Sequence, residues 1–284
     1  MRDDGSGSPA TWSRAALDPQ LVALAMRQRG LNWPAPVLLL SVPSTFQVAT
    51  ELAAAGAAEG SAVVAEEQTA GRGRQGRSWA SPLGAGLWLT VIVDLVPAQR
   101  TLLPLAAGLA VRQVVQQVLP EDALALVKWP NDVVVAHGPV APTHEATQLR
   151  GKIAGVLVEV REERCLVGMG LNISLTHSEL PTGVLATSLL LSQGSVTARE
   201  RVLVDLLVAF RDHLTRVRRS PQALLAEYRS HSATLGRTVE VTLPGGRQLC
   251  GRAVAIDVTG GLIVEEMDGN RELVTAGDVI HATI

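Results

Sequence analysis

The chain has 284 residues, 25 Lys+Arg against 27 Asp+Glu, and is 47% hydrophobic and 3% aromatic. Those values belong to a folded globular chain of one or two domains and exclude a disordered or fibrous one. A net charge of −2 gives no bulk drive toward DNA or anionic lipid, so only a local basic cluster can meet a polyanion. Cys165 and Cys250 stand far apart with no CxxC, which excludes by spacing a cysteine-ligated zinc site and a disulfide framework.

Of the 25 basic residues 23 are Arg, only Lys128 and Lys152 are Lys, and Asn occurs four times. This is the bias of a GC-rich coding sequence, so each retained Lys points to a role that a compact point charge serves and a planar fork does not. The uncharged stretch 30–50 is interrupted by Pro34, Pro36 and Pro43 and cannot form one apolar helix. The N-terminus MRDDGSGSPA lacks the basic-then-apolar pattern of an export signal and is expected to fray. A cytoplasmic protein is the expectation.

In chain order, 19–29 reads as a short helix, 37–42 as a buried strand, 45–55 as a helix and 61–65 as a strand. The Gly-, Arg- and Pro-rich stretch 66–86 follows, then a strand over 87–93 and an amphipathic helix over 102–119. A stretch that long without structure marks a functional loop or lid. Runs at 124–128, 133–136, 153–161 and 165–172 read as strands, the last two joined by a charged turn at 162–164. His137 to Gln148 reads as a surface insertion. Helices are expected over 197–218 and 221–229. From about Leu235 the composition changes to short β-rich runs punctuated by Gly-containing turns at 244–246, 259–261, 268–269 and 276–278, the spacing of hairpins. The expected architecture is α+β: a mixed sheet with helices over 37–234, then a small five-stranded barrel or sandwich over 235–284, with 1–36 as a tail and one short helix.

The densest chemical signal is EEQTAGRGRQGRSWASP, 66–82, with Arg72, Arg74 and Arg77 among Gly71, Gly73 and Gly76. Its G-x-G-x-x-G is not a dinucleotide fingerprint, because Ser78, Ser81, Pro82 and Gly84 follow and no helix starts; no GK[ST] makes it a Walker loop. Backbone amides and three guanidinium forks suit a phosphate-bearing ligand over which the loop folds. Such a loop is expected to be open without ligand and closed with it, excluding water from a reactive intermediate. Trp79 stacks on a base or fills the core.

Three further motifs follow. KWPND, 128–132, ends an apolar strand and presents Asn131 and Asp132 at its tip; a plain Pro-Asn-Asp turn explains it equally well. GKIAGVLVE, 151–159, opens a buried strand with Lys152 and leaves room beside it at Ala154 and Gly155. GMGLNIS, 168–174, ends a strand at Asn172.

In this order and spacing, GRGRQGRSW, KWPND, GKIAG and GMGLNI resemble the biotin protein ligases, and the terminal LGRTVEV…GRAVAIDVTGGLIVE looks like that family's SH3-like C-terminal domain. The resemblance runs from about Val37 to Ile284 and implies a class II synthetase-like catalytic domain. It also implies ATP-dependent joining of biotin's carboxylate to the α-phosphate, with Mg²⁺ accompanying ATP, and transfer from biotinyl-5′-AMP to a lysine of a biotin carboxyl carrier protein, an acetyl-CoA carboxylase subunit. No Ser-His-Asp pattern, Cys nucleophile or HExxH is evident, and no protein-only metal site is expected.

Carried onto this chain, the resemblance implies Lys152, Arg72 and Arg74 as catalytic residues. It implies Ser44, Thr45, Gln68, Gly71, Arg72, Gly73, Arg74 and Lys152 around biotin, and Arg74, Arg77, Trp79, Asn131, Lys152 and Asn172 around the adenylate. Ser44-x-x-Gln47 is also a capping box that accounts for Ser44 without a ligand. The family pattern places Asn after Ser-Thr where this chain has Phe46. The residues before the first strand are too few for a winged helix-turn-helix, so the expectation is no DNA binding, no membrane, and a homodimer as one option. A lipoate or octanoate ligase and a non-catalytic biotin-sensing repressor are the alternatives.

Overall fold

The computed structural model describes residues 14–137, 148–194 and 198–281; the expected N-terminal tail and most of the insertion at 137–148 lie outside them. Helix α1 (Pro19–Gln28) is capped by Asp18, whose carboxylate accepts from Gln20 and Leu21 N–H, as an acidic N-cap should. Strand β1 (Val37–Val42), α2 (Thr45–Ala54) and β2 (Ala62–Gln68) form a crossover unit in which β1 and β2 run parallel. All other ladders are antiparallel: β3 (Gly86–Val93), β4 (Ala123–Lys128), β5 (Asp132–His137), β6 (Gln148–Arg161) and β7 (Arg164–Asn172) complete a mixed sheet in the order β1-β2-β3-β7-β6-β5-β4.

Two strands are longer than the sequence reading for the same reason. Pairing of Ser41 with Glu67 and of Val42 with Gln68 carries β2 on to Gln68. Pairing with β5 starts β6 at Gln148, with register shifts on the way. Cross-strand partners thus override the weak β-propensity of Glu, Gln, Gly and Lys. Gly151 sits at φ +154 with Ala186 backbone within 2.6 Å of where a Cβ would stand, so only glycine carries the chain past that point into Lys152.

The helix expected over 102–119 is α4 (Leu103–Gln116), preceded by a short helix α3 (Pro97–Arg100) that the sequence reading did not include; each has a proline in its first turn. Helices α1, α4, α5 (Arg199–Arg219) and α6 (Pro221–Ser230) bury one face of the sheet, while α2 packs its Phe46 and Ala49 against Val63, Ile92 and Leu166 on the other. Strands β8 (Thr238–Thr242), β9 (Gln248–Ile256), β10 (Leu262–Glu265), β11 (Arg271–Val274) and β12 (Asp278–His281) make one antiparallel sheet in the order β11-β10-β9-β8-β12.

This second sheet is fastened to the first at its turns. Trp129, buried in the β4–β5 turn, donates its indole N–H to Gly260 carbonyl at 2.9 Å, and Arg229 of α6 donates to Ile256 carbonyl. A buried ion pair fixes the root of the Gly-rich segment: Arg199 meets Glu66 at 2.7 Å with side chains 5% and 7% exposed, and Glu66 also accepts Leu17 N–H. Burial at that level stabilises only while both partners remain.

Candidate active site

On the face covered by α2, strands β6 and β7 alternate so that Gly155, Leu157, Gly168 and Gly170 look outward while Ala154, Val156, Val167 and Leu171 enter the core. A small, open cavity lies on this strip, lined among others by Thr45, Phe46, Gln68, Asn131 and Lys152. Its two ends differ chemically.

At one end stand Lys152 and Asn131. Lys152 Nζ is 2.6 Å from Asp132 Oδ1, across neighbouring strands, and 5.0 Å from the Trp79 ring centroid. Asn131, in the β4–β5 turn after a cis Trp129–Pro130 bond, is held from both sides. Its amide N–H donates to Val156 carbonyl at 2.9 Å, and its Oδ1 accepts from Arg74 at 3.1 Å. Lys128 ends the adjacent strand but does not line the cavity and forms no ion pair with a described residue. Burial pushes its pKa down, with Asp132 pulling it back up.

At the other end Thr45 and Gln68 form a polar pair. Thr45 N–H and Oγ1 both donate to Gln68 Oε1, at 2.9 and 3.1 Å; Thr45 Oγ1 also meets Thr90 Oγ1 at 2.8 Å, and Gln68 Nε2 donates to Ser81 Oγ. Ser44 is the N-cap of α2, accepting from Phe46 N–H at 3.3 Å, and it does not line the cavity. Its capping role is therefore met, through Phe46 rather than through the Gln47 N–H of a full capping box. Phe46 itself, 4% exposed, does line the cavity.

The segment over the cavity is more regular than the structureless loop the sequence suggests. Bridges join Gln68 to Ser81 and Arg72 to Ser78, and a 3₁₀ turn, 74–76, with Gln75 at φ 55 closes the tip. Gly71 is required by packing, because a Cβ there would lie 2.4 Å from Trp79 carbonyl. Gly73 N–H donates to Arg77 carbonyl at 2.7 Å. The Trp79 ring lies on the glycine strip, with its Nε1 2.6 Å from where a Cβ on Gly170 would stand; that buried N–H has no hydrogen-bond partner among the described residues. A desolvated donor over a cavity is a contact offered to a ligand.

The three arginines separate. Arg72 pairs with Glu159 and places its guanidinium 5.7 Å from the Phe46 ring centroid, beside Thr45, in the cavity that Lys152 also lines. Arg74 reaches Asn131 Oδ1, Gly277 carbonyl at 3.2 Å and Asp278 at 3.9 Å. Burial pushes its pKa below the ordinary value, opposed by the nearby Asp278 and Asp132. Arg77 is exposed and pairs with Asp278 at 2.7 Å. Asn172, 4% exposed, does not line the cavity; its amide N–H donates to Thr187 carbonyl, fixing the chain that returns to pair with Lys152.

Sequence reasoning did not assign roles to Asp132, Glu159 or Asp278. Asp132 had a signal, since it follows Asn131 in KWPND; Glu159 and Asp278 had none, because only the fold carries them to the arginines.

Residues 39–175 match the biotin/lipoate A/B protein ligase family and residues 234–282 match the biotin protein ligase C-terminal domain. The biotin--[acetyl-CoA-carboxylase] ligase of Mycobacterium tuberculosis is 35% identical over 94% of this chain and 98% of its own length. The chain belongs to the biotin protein ligase family. Its fold matches the Aquifex aeolicus biotin protein ligase in complex with biotin and ATP, with a TM-score of 0.72, 25% identity, and 87% of this chain and 99% of that one covered. It also matches the Leishmania major enzyme in complex with biotinyl-5-AMP, with a TM-score of 0.57, 27% identity, and 86% and 99% coverage. Among the described residues no helix is long and apolar enough to cross a membrane, and no three or more His, Cys, Asp or Glu are grouped to hold a metal ion.

Proposed function

We propose that this chain is an ATP-dependent ligase that activates biotin as biotinyl-5′-AMP in the cavity on the glycine strip and transfers it to one lysine of a biotin carboxyl carrier protein. The observation that carries the reading is the polarity of the cavity along one axis. A glycine-smoothed strip, Gly155, Gly168 and Gly170, runs between the Lys152 ammonium and the Thr45–Gln68 polar pair. That is the shape of a carboxylic acid with an aliphatic chain and a polar head ring.

With the head at Thr45 and Gln68, the carboxylate arrives beside Lys152. The ammonium offsets repulsion between the carboxylate and the α-phosphate of ATP, which enters as its Mg²⁺ complex; a carboxylate oxygen attacks the α-phosphorus, the bond to the β-phosphate breaks and pyrophosphate leaves. Holding the two reactants aligned and facing developing negative oxygens with a fixed cation is where the rate arises. Asp132 holds Lys152 in place. Arg74, on the segment that roofs the cavity, supplies a second fork at the phosphate end, and Trp79 covers the acyl chain and keeps out water. Arg77 and Asn172 act at the nucleotide side, Asn172 by fixing the chain beside Lys152. The carrier lysine then attacks the acyl carbon and AMP leaves.

Incubation with biotin, MgATP and a purified biotin-carrier domain, followed by mass measurement of the carrier, tests this. One biotin per carrier is expected, with pyrophosphate released only when biotin and ATP are both present. Transfer of lipoate or octanoate in preference to biotin would overturn the reading, as would binding without pyrophosphate release.

A further inference from the structure

Phe46 stands at the start of α2 on the cavity wall, and its surroundings show what an aromatic ring does there. The side chain leaves the first turn of α2 and lies across β7, where a Cβ on Gly168 would come within 2.3 Å of the ring. Ring and glycine are therefore a complementary pair, since no larger residue at 168 leaves space for it. One edge packs with Ala49, Val63, Ile92 and Leu166, and the remainder lines the cavity at the Thr45–Gln68 end. Over the ring stands the Arg72 guanidinium, 5.7 Å from its centroid, with Glu159 as its ion partner and Arg161 sharing that carboxylate.

An Asn at this position offers a hydrogen bond but no ring face. With Phe46, Arg72 is held from two sides, by the ring's electron-rich face and by Glu159, and the end of the cavity becomes an apolar wall. We infer that Phe46 is a specificity-determining residue: it forms the wall against which the head group packs and positions Arg72 over it. The head group this end accepts is compact and flat, with a polar edge toward Thr45 and Gln68 and an apolar face toward Phe46.

The inference rests on biotin occupying this cavity, which a titration of the unaltered protein with biotin tests by itself. Phe46→Leu keeps apolar volume and removes the ring face; Glu159→Gln removes the ionic tether. Each is expected to raise the KM for biotin about threefold, the weight of one partly exposed cation contact, and the two together about thirtyfold, because each tether suffices while the other remains. The KM for ATP should move less than twofold in either single variant, judged against the size of these contacts.

If biotin binds the unaltered protein but Phe46→Leu leaves its KM unchanged, the inference is overturned, even where thermal stability falls. A double variant no worse than the product of the singles overturns the positioning of Arg72. If the unaltered protein does not bind biotin, the functional reading itself fails.

Discussion

Lys152, Gly155, Gly168 and Gly170 stand on β6 and β7, each strand laddered on both sides within the sheet, whereas residues 69–80 above them are tied to β1 and its turn only through Thr69 and Ala70 N–H, and beyond that are held by the Arg72–Ser78 bridge, the Trp79 ring on the glycines and a few guanidinium contacts. The floor is thus fixed by the same pairing that makes the fold, and the roof by interactions of a kind that ligands can replace. Opening the floor means breaking a sheet; opening the roof means lifting the Trp79 ring off Gly155 and Gly170 and exchanging Asp278, Asn131 and Glu159 for other anions and acceptors. Local stability differs across a structure in this way, and binding segments are drawn from its weak end.

That contrast can be tested from both sides. The largest effect is expected from Lys152→Ala, which leaves Asp132 facing the incoming carboxylate: biotinyl-AMP formation should fall by about 10³-fold, read as pyrophosphate release, with the fold intact by circular dichroism. A fall below tenfold would place the activating charge elsewhere. Gly170→Ala adds a Cβ 2.6 Å from Trp79 Nε1, displacing the ring from the floor while leaving the strand pairing possible. The KM for biotin should rise about thirtyfold, the size of an overpacked contact, and an unchanged KM would mean that Trp79 does not touch the acyl chain.

Arg74→Gly acts only on the roof. Losing one guanidinium–phosphate contact should release biotinyl-AMP about tenfold faster, visible by mass spectrometry as biotin on bystander lysines; no rise over the unaltered enzyme would refute retention by Arg74. Asp278→Asn is expected to do least. Weakening an exposed pair to Arg77 should speed tryptic cleavage within 72–77 about threefold, and unchanged cleavage would show that the C-terminal sheet does not restrain the roof.

The difference between floor and roof also decides what could be read from sequence. Floor motifs announce themselves because strand alternation and glycine spacing are local: GKIAG marked Lys152 and Gly155, whereas from GMGLN the sequence reading took Asn172 and the structure puts Gly168 and Gly170 at the cavity instead. The scarcity of Lys singled out Lys152, which the structure places in the cavity, and Lys128, which it does not. The roof's composition was legible but its partners were not. Arg72, Arg74 and Arg77 look interchangeable in GRGRQGR, yet Glu159, Asn131 and Asp278 divide them among two ends of a cavity and a second sheet. Those partners lie from tens to about two hundred residues away, and only topology brings them near. The strand starts at Gln148 and the extension of β2 to Gln68 were missed for the same reason, because the pairing partner supplies what propensity does not.

Hydrogen exchange of the peptides spanning 69–80, 152–157 and 166–172, measured with and without biotin plus MgATP, tests the division between floor and roof most directly. The expected result is slow exchange in both strand peptides under either condition and a marked slowing confined to 69–80 when both substrates are present. Equal protection gained by all three peptides, or none gained by 69–80, would contradict it.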